Sequence, residues 1–241
     1  MPDSYKNQLL KIAAFMVVCI PIVMYSWVGV SYLNDWDVVF TARAAALSVM
    51  IILFICILMP LFVIHSKEAR LQGFIVFWFC LSAFFNLVWQ LPLILFKSII
   101  TSASLVRENL PLLIPWWGYG LSDSHYGSVT PAMVSEEVWW LLANAVAVTG
   151  LVLLHKSTAT SRKAYLYLGV AGALQAYNAS LYIVGNGLID SFRNIAPGST
   201  MALILYWGFN LFWTFAALAA SLMSFRYVLG ESGEQCSDSS K

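Results

Sequence analysis

Charge is scarce in this sequence. Lys and Arg number 13 and Asp and Glu 12, so charged residues make up 10% of 241 and the formal net charge is +1. A soluble domain is about a quarter charged. The near balance leaves no basic field for a phosphate backbone, which excludes a nucleic-acid binder. Cysteine is sparse and badly placed for chemistry. Cys19, Cys56 and Cys80 fall inside apolar runs and Cys236 in the polar tail, with no CxxC pair and no Cys/His ligand spacing. The cysteine pattern therefore disfavours structural zinc, an Fe–S cluster and a disulfide framework. His65, His125 and His155 all lie between apolar runs, and no HExxH, Walker loop or GxGxxG occurs. No metal and no cofactor is called for.

What is abundant is apolar surface. Hydrophobic residues make up 60% of the chain and the mean hydropathy is +0.77. A water-soluble globule, about half apolar, cannot hide this excess. The expectation is an all-α, polytopic membrane helix bundle. Strand-like alternation is absent, which disfavours a β-barrel. Ten Trp, 11 Tyr and 15 Phe exceed what a simple anchor needs and point to interface belts, a greasy pocket, or both.

A spanning helix needs about 20 mostly apolar residues. Six stretches qualify: about Ile12 to Leu33, Ala44 to Ile64, Leu71 to Phe96, Ala132 to Leu154, Ala164 to Gly187 and Thr200 to Val228. The first lacks a convincing signal-peptidase site and is read as a retained helix. Residues 34–43, 65–70 and 155–163 are short connections. Residues 97–131 form a long, aromatic, proline-containing connection, the kind that is usually functional or mobile. The tail from Gly230 is polar and Ser-rich, a composition expected to be disordered.

Loop charge predicts orientation. One side would hold Lys6, Lys11, Lys67, Arg70, Lys156, Arg162, Lys163, Arg226 and Lys241, the other only Arg43, Lys97, Arg107 and Arg193. The excess favours both termini in the cytosol. The expected setting is the endoplasmic reticulum if the chain is eukaryotic and the inner membrane if it is bacterial.

Polar residues inside the spans are the informative ones. Glu136 and Glu137 are the only carboxylates within a predicted span, just past Pro131. A carboxylate costs about 2.5–3.5 kcal/mol at mid-bilayer on insertion scales and less near an interface. It therefore faces a partner or a cavity, unless both acids simply complement the helix N-terminus. Glu137, Trp140 and Asn144 share a helix face, and so do Asn86 with Gln90, and Gln175 with Asn178 and Tyr182. Asn210, Trp213 and Thr214 lie together in the last span. Each amide alone can be interhelical glue. One polar face on each of four helices points instead to a central aromatic pocket with a few amides and one carboxyl. A carboxyl in a dry site can stay protonated, and ring faces attract a cation. Such a pocket suits protonation of an alkene, and equally suits plain binding of a hydrophobic amine.

The motifs then show a resemblance. Residues read Trp116-x-x-Tyr119-x-x-x-Asp123-Ser124-x-Tyr126, then Glu137 eleven residues on, then Gln175-x-Tyr177-x-x-x-Leu181-Tyr182 and Asn210-x-x-Trp213. In type and order this resembles the emopamil-binding protein (EXPERA) family of sterol Δ8–Δ7 isomerases across the last five spans. The resemblance implies a five-helix core at residues 44–229 around a sterol-sized cavity. Residues 1–43 add an extra N-terminal helix and loop, and residues 230–241 form a tail. It implies a cofactor-independent double-bond shift through a carbocation, with Glu137 as the catalytic proton-transferring carboxyl. Asn210 and Trp213 would contact the ligand, and Trp140, Asn86, Gln90, Gln175 and Tyr182 would line the substrate site. Asp123 and Tyr126 are read as loop-ordering groups through a local Asx-type bond. Two departures stand out. The family's His-x-x-x-Glu is here Asn86 and Gln90, amides that do not exchange protons as that pair does. Its fifth-helix aspartate is Ala179. A non-catalytic lipid-binding protein and a terpenoid cyclase are therefore the competing expectations. The partners implied are the bilayer and a sterol or terpenoid; a homodimer is allowed.

Overall fold

The computed structural model describes residues 3–64, 66–156 and 161–234. Among them the chain is all-helical, without strands. Six helices are long: α1 (Asp3–Asn34), α2 (Val38–Val63), α3 (Lys67–Phe85), α8 (Pro131–Lys156), α9 (Ser161–Asp190) and α10 (Thr200–Glu234). Between α3 and α8 lie a π-helical turn at Asn86–Gln90, α4 (Leu91–Leu95), α5 (Lys97–Ser102), a 3-10 turn at Arg107–Asn109, α6 (Leu110–Gly120) and α7 (Ser124–Ser128).

Five of these segments are long and apolar enough to cross a bilayer: Ala14–Asn34, Val38–Phe62, Lys67–Leu95, Met133–Lys156 and Thr200–Gly230. The chain is an integral, multi-pass membrane protein. α9 has the length but is more polar, carrying Arg162, Lys163, Gln175, Asn178, Asn186 and Asp190. It is packed between α8 and α10, its most extensive neighbours.

The connection expected at residues 97–131 is a chain of short helices, not an open loop. Its prolines mislead when read only as breakers. Pro111 sits in the first turn of α6, where its missing N–H leaves no bond unmade. Pro115 lies inside the same helix. α10 runs four residues beyond Gly230, and the remainder of the expected disordered tail, residues 235–241, lies outside the described residues. His65 and residues 157–160 of the expected short connections also lie outside them.

Close backbone approach holds the bundle, as expected where lipid offers no hydrophobic drive between helices. A Cβ added at Gly172 of α9 would stand 2.9 Å from the Ala217 carbonyl oxygen of α10. Beside it, the Ser221 hydroxyl donates to the Gly169 carbonyl at 2.8 Å. Gly172→Val is expected to lower stability by about 1–3 kcal/mol through overpacking against a backbone that cannot yield. Thermal unfolding in detergent measures the loss. Gly118 plays the same part for α6, where a Cβ would come 2.9 Å from Ala46 Cβ of α2. That contact packs α6 closely on α2. Arg107 ties the segment before α6 to Asp35 and to the Trp36 carbonyl. Two apolar cores result, one around Leu53, Trp78, Phe79 and Leu168, the other around Ala42, Leu110, Ile114 and Met133.

Candidate functional site

A cavity of about 400 Å³ lies where the two cores meet, within the usual range for a small-molecule site. Every long helix and α6 contribute to it. α1 supplies Ile20, Pro21 and Met24, α2 supplies Ala46 and Val49, and α6 supplies Ile114 and Tyr119. Its lining residues Val17, Tyr25 and Val88 are also exposed on the outside of the bundle. The cavity therefore has a mouth between α1 and the π turn, within two apolar spans.

The π turn follows from Pro92. With no N–H at residue 92, the Val88 carbonyl loses its usual donor, and the Leu91 N–H bonds instead to the Asn86 carbonyl, one residue further back. The turn is anchored to α6 by two indoles. Trp89 Nε1 donates to the Pro115 carbonyl at 2.8 Å, and Trp116 Nε1 donates to the Trp89 carbonyl at 3.1 Å. Trp89 and Gln90 thus face the cavity, while Asn86 is buried behind it.

Aromatic rings form a large part of the wall. Trp140 and Trp213 have centroids 5.8 Å apart, and Phe85 stands 5.7 Å from Trp213. Tyr126 sits 5.0 Å from Tyr119, 5.4 Å from Trp89 and 5.8 Å from Tyr182.

Two carboxyl groups stand behind this wall. Glu137 is fully buried; the Tyr126 hydroxyl donates to its Oε1 at 2.5 Å, and its Oε2 has no protein partner. Asp123 is also fully buried. Its Oδ2 accepts from the Tyr182 hydroxyl at 2.5 Å and the Tyr119 hydroxyl at 3.2 Å. Its Oδ1 accepts from Asn194 Nδ2 at 3.0 Å and the His125 N–H at 3.1 Å. Burial pushes the Asp123 carboxyl above its ordinary range, against the bonds from Tyr182, Asn194 and His125. The Asx-type bond expected at Asp123 is present, as one part of a larger buried hub. A short bridge joins Asp123 to Ile195, with the Ser124 N–H donating to the Asn194 carbonyl. The hub thereby pins α7 to the connection between α9 and α10.

Among the residues singled out in the sequence, Gln90, Trp140, Tyr182, Asn210 and Trp213 line the cavity. Asn86, Glu137 and Gln175 stand behind the lining. Asn86 Nδ2 bonds back to the Ser82 carbonyl at 2.9 Å, leaving Oδ1 unpartnered. Gln175 holds helices together: its Oε1 accepts from Trp78 Nε1 at 3.0 Å, and its Nε2 donates to Ser82 Oγ and Asn144 Oδ1. Asn210 Nδ2 donates to the Tyr119 hydroxyl at 2.7 Å. Glu136 lines the cavity. Tyr119 and Tyr126 line it too, and their signal was the WxxYxxxDSxY run itself. Ala179 lines the cavity beside Tyr182, adding a small apolar patch to its wall. Among the described residues no group of three His, Cys, Asp or Glu side chains is placed to hold a metal ion.

Comparison with models of known protein families, with curated proteins and with solved structures finds no match to this chain.

Proposed function

We propose that this protein is an isomerase-like membrane enzyme of the EXPERA type, shifting a carbon–carbon double bond in a sterol or terpenoid lipid. The observation that carries the reading is the Glu137–Tyr126 pair, joined at 2.5 Å, with the phenol on the wall of an aromatic cavity. In the protonated state Glu137 gives its proton to the Tyr126 oxygen while Tyr126 gives its own to an alkene carbon. The alkene π pair becomes the new C–H bond, and the adjacent carbon becomes cationic. Trp140 and Trp213 present ring faces to that cation. Loss of a proton from the carbon on the far side returns an electron pair as the shifted double bond. The formula is unchanged and nothing is oxidised or reduced. The apolar mouth between α1 and the π turn suits a substrate that arrives from the bilayer.

In this reading α9 is the sixth span, α1 is an added N-terminal helix that closes one side of the cavity formed with the other five, and both termini are cytosolic. The membrane is the endoplasmic reticulum in a eukaryote or the inner membrane in a bacterium. A second reading, a non-catalytic lipid-binding protein, draws on Asn86 and Gln90, amides where the isomerases carry a His–Glu pair. A terpenoid cyclase shares the same carbocation chemistry.

The test is turnover in D₂O of purified protein with Δ8-sterols and with linear or epoxidised terpenoids. The expected result is a shifted alkene carrying one solvent deuteron. Tight binding without deuterium uptake would favour the binding protein, and uptake with a new ring the cyclase.

A further inference from the structure

An alkene shift handles two protons at two different carbons, one added and one removed. The Glu137–Tyr126 pair accounts for the first. The amides at Asn86 and Gln90 leave the second without an obvious acceptor. The cavity wall also holds a second carboxyl backed by phenols, Asp123 with Tyr182 and Tyr119, on different elements.

We propose that Tyr182 of α9, backed by Asp123, is the second proton-handling group of this cavity, taking the proton that leaves the cation. This rests on the isomerase reading. Tyr182 lines the cavity, and its hydroxyl donates to buried Asp123 Oδ2 at 2.5 Å, matching the distance in the first pair. The two phenols are neighbours, with ring centroids 5.8 Å apart, so one small ligand can touch both. The step balances. The C–H electron pair becomes the new π bond, the proton goes to the Tyr182 oxygen, and the proton Tyr182 held passes to the Asp123 carboxylate. Asp123 acts through Tyr182 and is a positioning and proton-storing residue.

The hub is built for this more than for simple bracing. Tyr119 donates to the same Asp123 oxygen from farther off, at 3.2 Å against 2.5 Å for Tyr182, and accepts from Asn210 at 2.7 Å. Ser122 Oγ and Asn194 Oδ1, on either side of Asp123, are buried without a protein partner, places where water is usually held and through which a stored proton can return. His125, whose backbone N–H bonds Asp123, carries its ring to the half-exposed Asp190, Nε2 lying 3.1 Å from Oδ2. The unit thus reaches from the cavity to the rim of the bundle.

The experiment compares Tyr182→Phe, Asp123→Asn and Tyr206→Phe in the full chain. Tyr206 is an equally buried phenol nearby, bonded to Asn186 and not on the cavity lining. The probe is cholest-8-enol deuterated at C7, the carbon that loses its proton, with binding followed by quenching of tryptophan fluorescence. Tyr182→Phe and Asp123→Asn are expected to lose turnover about 10²-fold, with probe affinity unchanged. The substrate deuterium isotope effect should rise above wild type in both, because proton removal becomes rate-limiting. Tyr206→Phe should keep wild-type turnover and isotope effect. A structural role alone would reduce the active fraction and leave the isotope effect where it was, and that result overturns the proposal. So does wild-type turnover in Tyr182→Phe. A wild-type protein that binds the probe without turning it over removes the isomerase reading, and this one with it.

Discussion

Replacing Glu137 with Gln is expected to abolish the alkene shift, lowering turnover by at least about 10²-fold, while the protein still folds and binds sterol. The side chain is fully buried, its Oε1 held by the Tyr126 hydroxyl and its Oε2 without a partner. Glutamine matches it in shape and can still accept from Tyr126. An amide cannot give up a proton, so the change removes the chemistry and spares the packing. The amide replaces an acid that is neutral when ready to react, so no buried charge is gained or lost and the thermal midpoint should change little. Turnover, unfolding temperature and sterol affinity, measured on one preparation, separate these effects. Unchanged turnover would clear Glu137 and turn attention to Glu136, whose carboxyl shares the cavity wall.

The largest loss of stability is expected from Trp78→Ala, about 3–5 kcal/mol. Trp78 is wholly buried on α3, with its ring 5.1 Å from Trp213 and 5.8 Å from Phe212 of α10. Its Nε1 donates to Gln175 of α9 at 3.0 Å. Truncation removes ring contacts between α3 and α10 and leaves the buried Gln175 amide oxygen of α9 without its donor. Within a bilayer helices are held by packing and hydrogen bonds, so a void of this size has no hydrophobic term to offset it. Trp78→Phe keeps most of the volume and loses only the hydrogen bond, a smaller cost of about 1–3 kcal/mol. Equilibrium unfolding in mixed micelles measures both. Because Trp213 leans on Trp78, the alanine variant should also bind sterol more weakly, through a wall that has lost its backing.

Much of the architecture was legible in one dimension. Length and hydropathy mark five of the long helices, since a run of about 20 apolar residues has few ways to sit in water. The acids of α8 stood out for the same reason, as did the aromatic and amide positions at Gln90, Trp140, Tyr182, Asn210 and Trp213. The limits were those of helical periodicity. A 3.6-residue repeat puts Asn86 and Gln90 on one face, yet the π turn set by Pro92 turns Gln90 into the cavity and leaves Asn86 behind it. The same repeat shows that Glu136 and Glu137 diverge, but which one meets the cavity depends on where α6 and α7 lie. Gln175, read on a polar face with Tyr182, is engaged with Trp78, Ser82 and Asn144 instead.

What the amino-acid order determined alone is the solvent this chain requires and the set of polar groups that must find partners inside it. Those follow from transfer free energies, which each residue carries wherever it sits. What only the tertiary structure decided is the pairing of Tyr126 with Glu137 and of Tyr182 with Asp123. Their members lie 11 and 59 positions apart in sequence. Hydrogen bonds act over about 3 Å, so only the fold of α7 back onto the start of α8, and the packing of α9 beside them, could bring those atoms within reach.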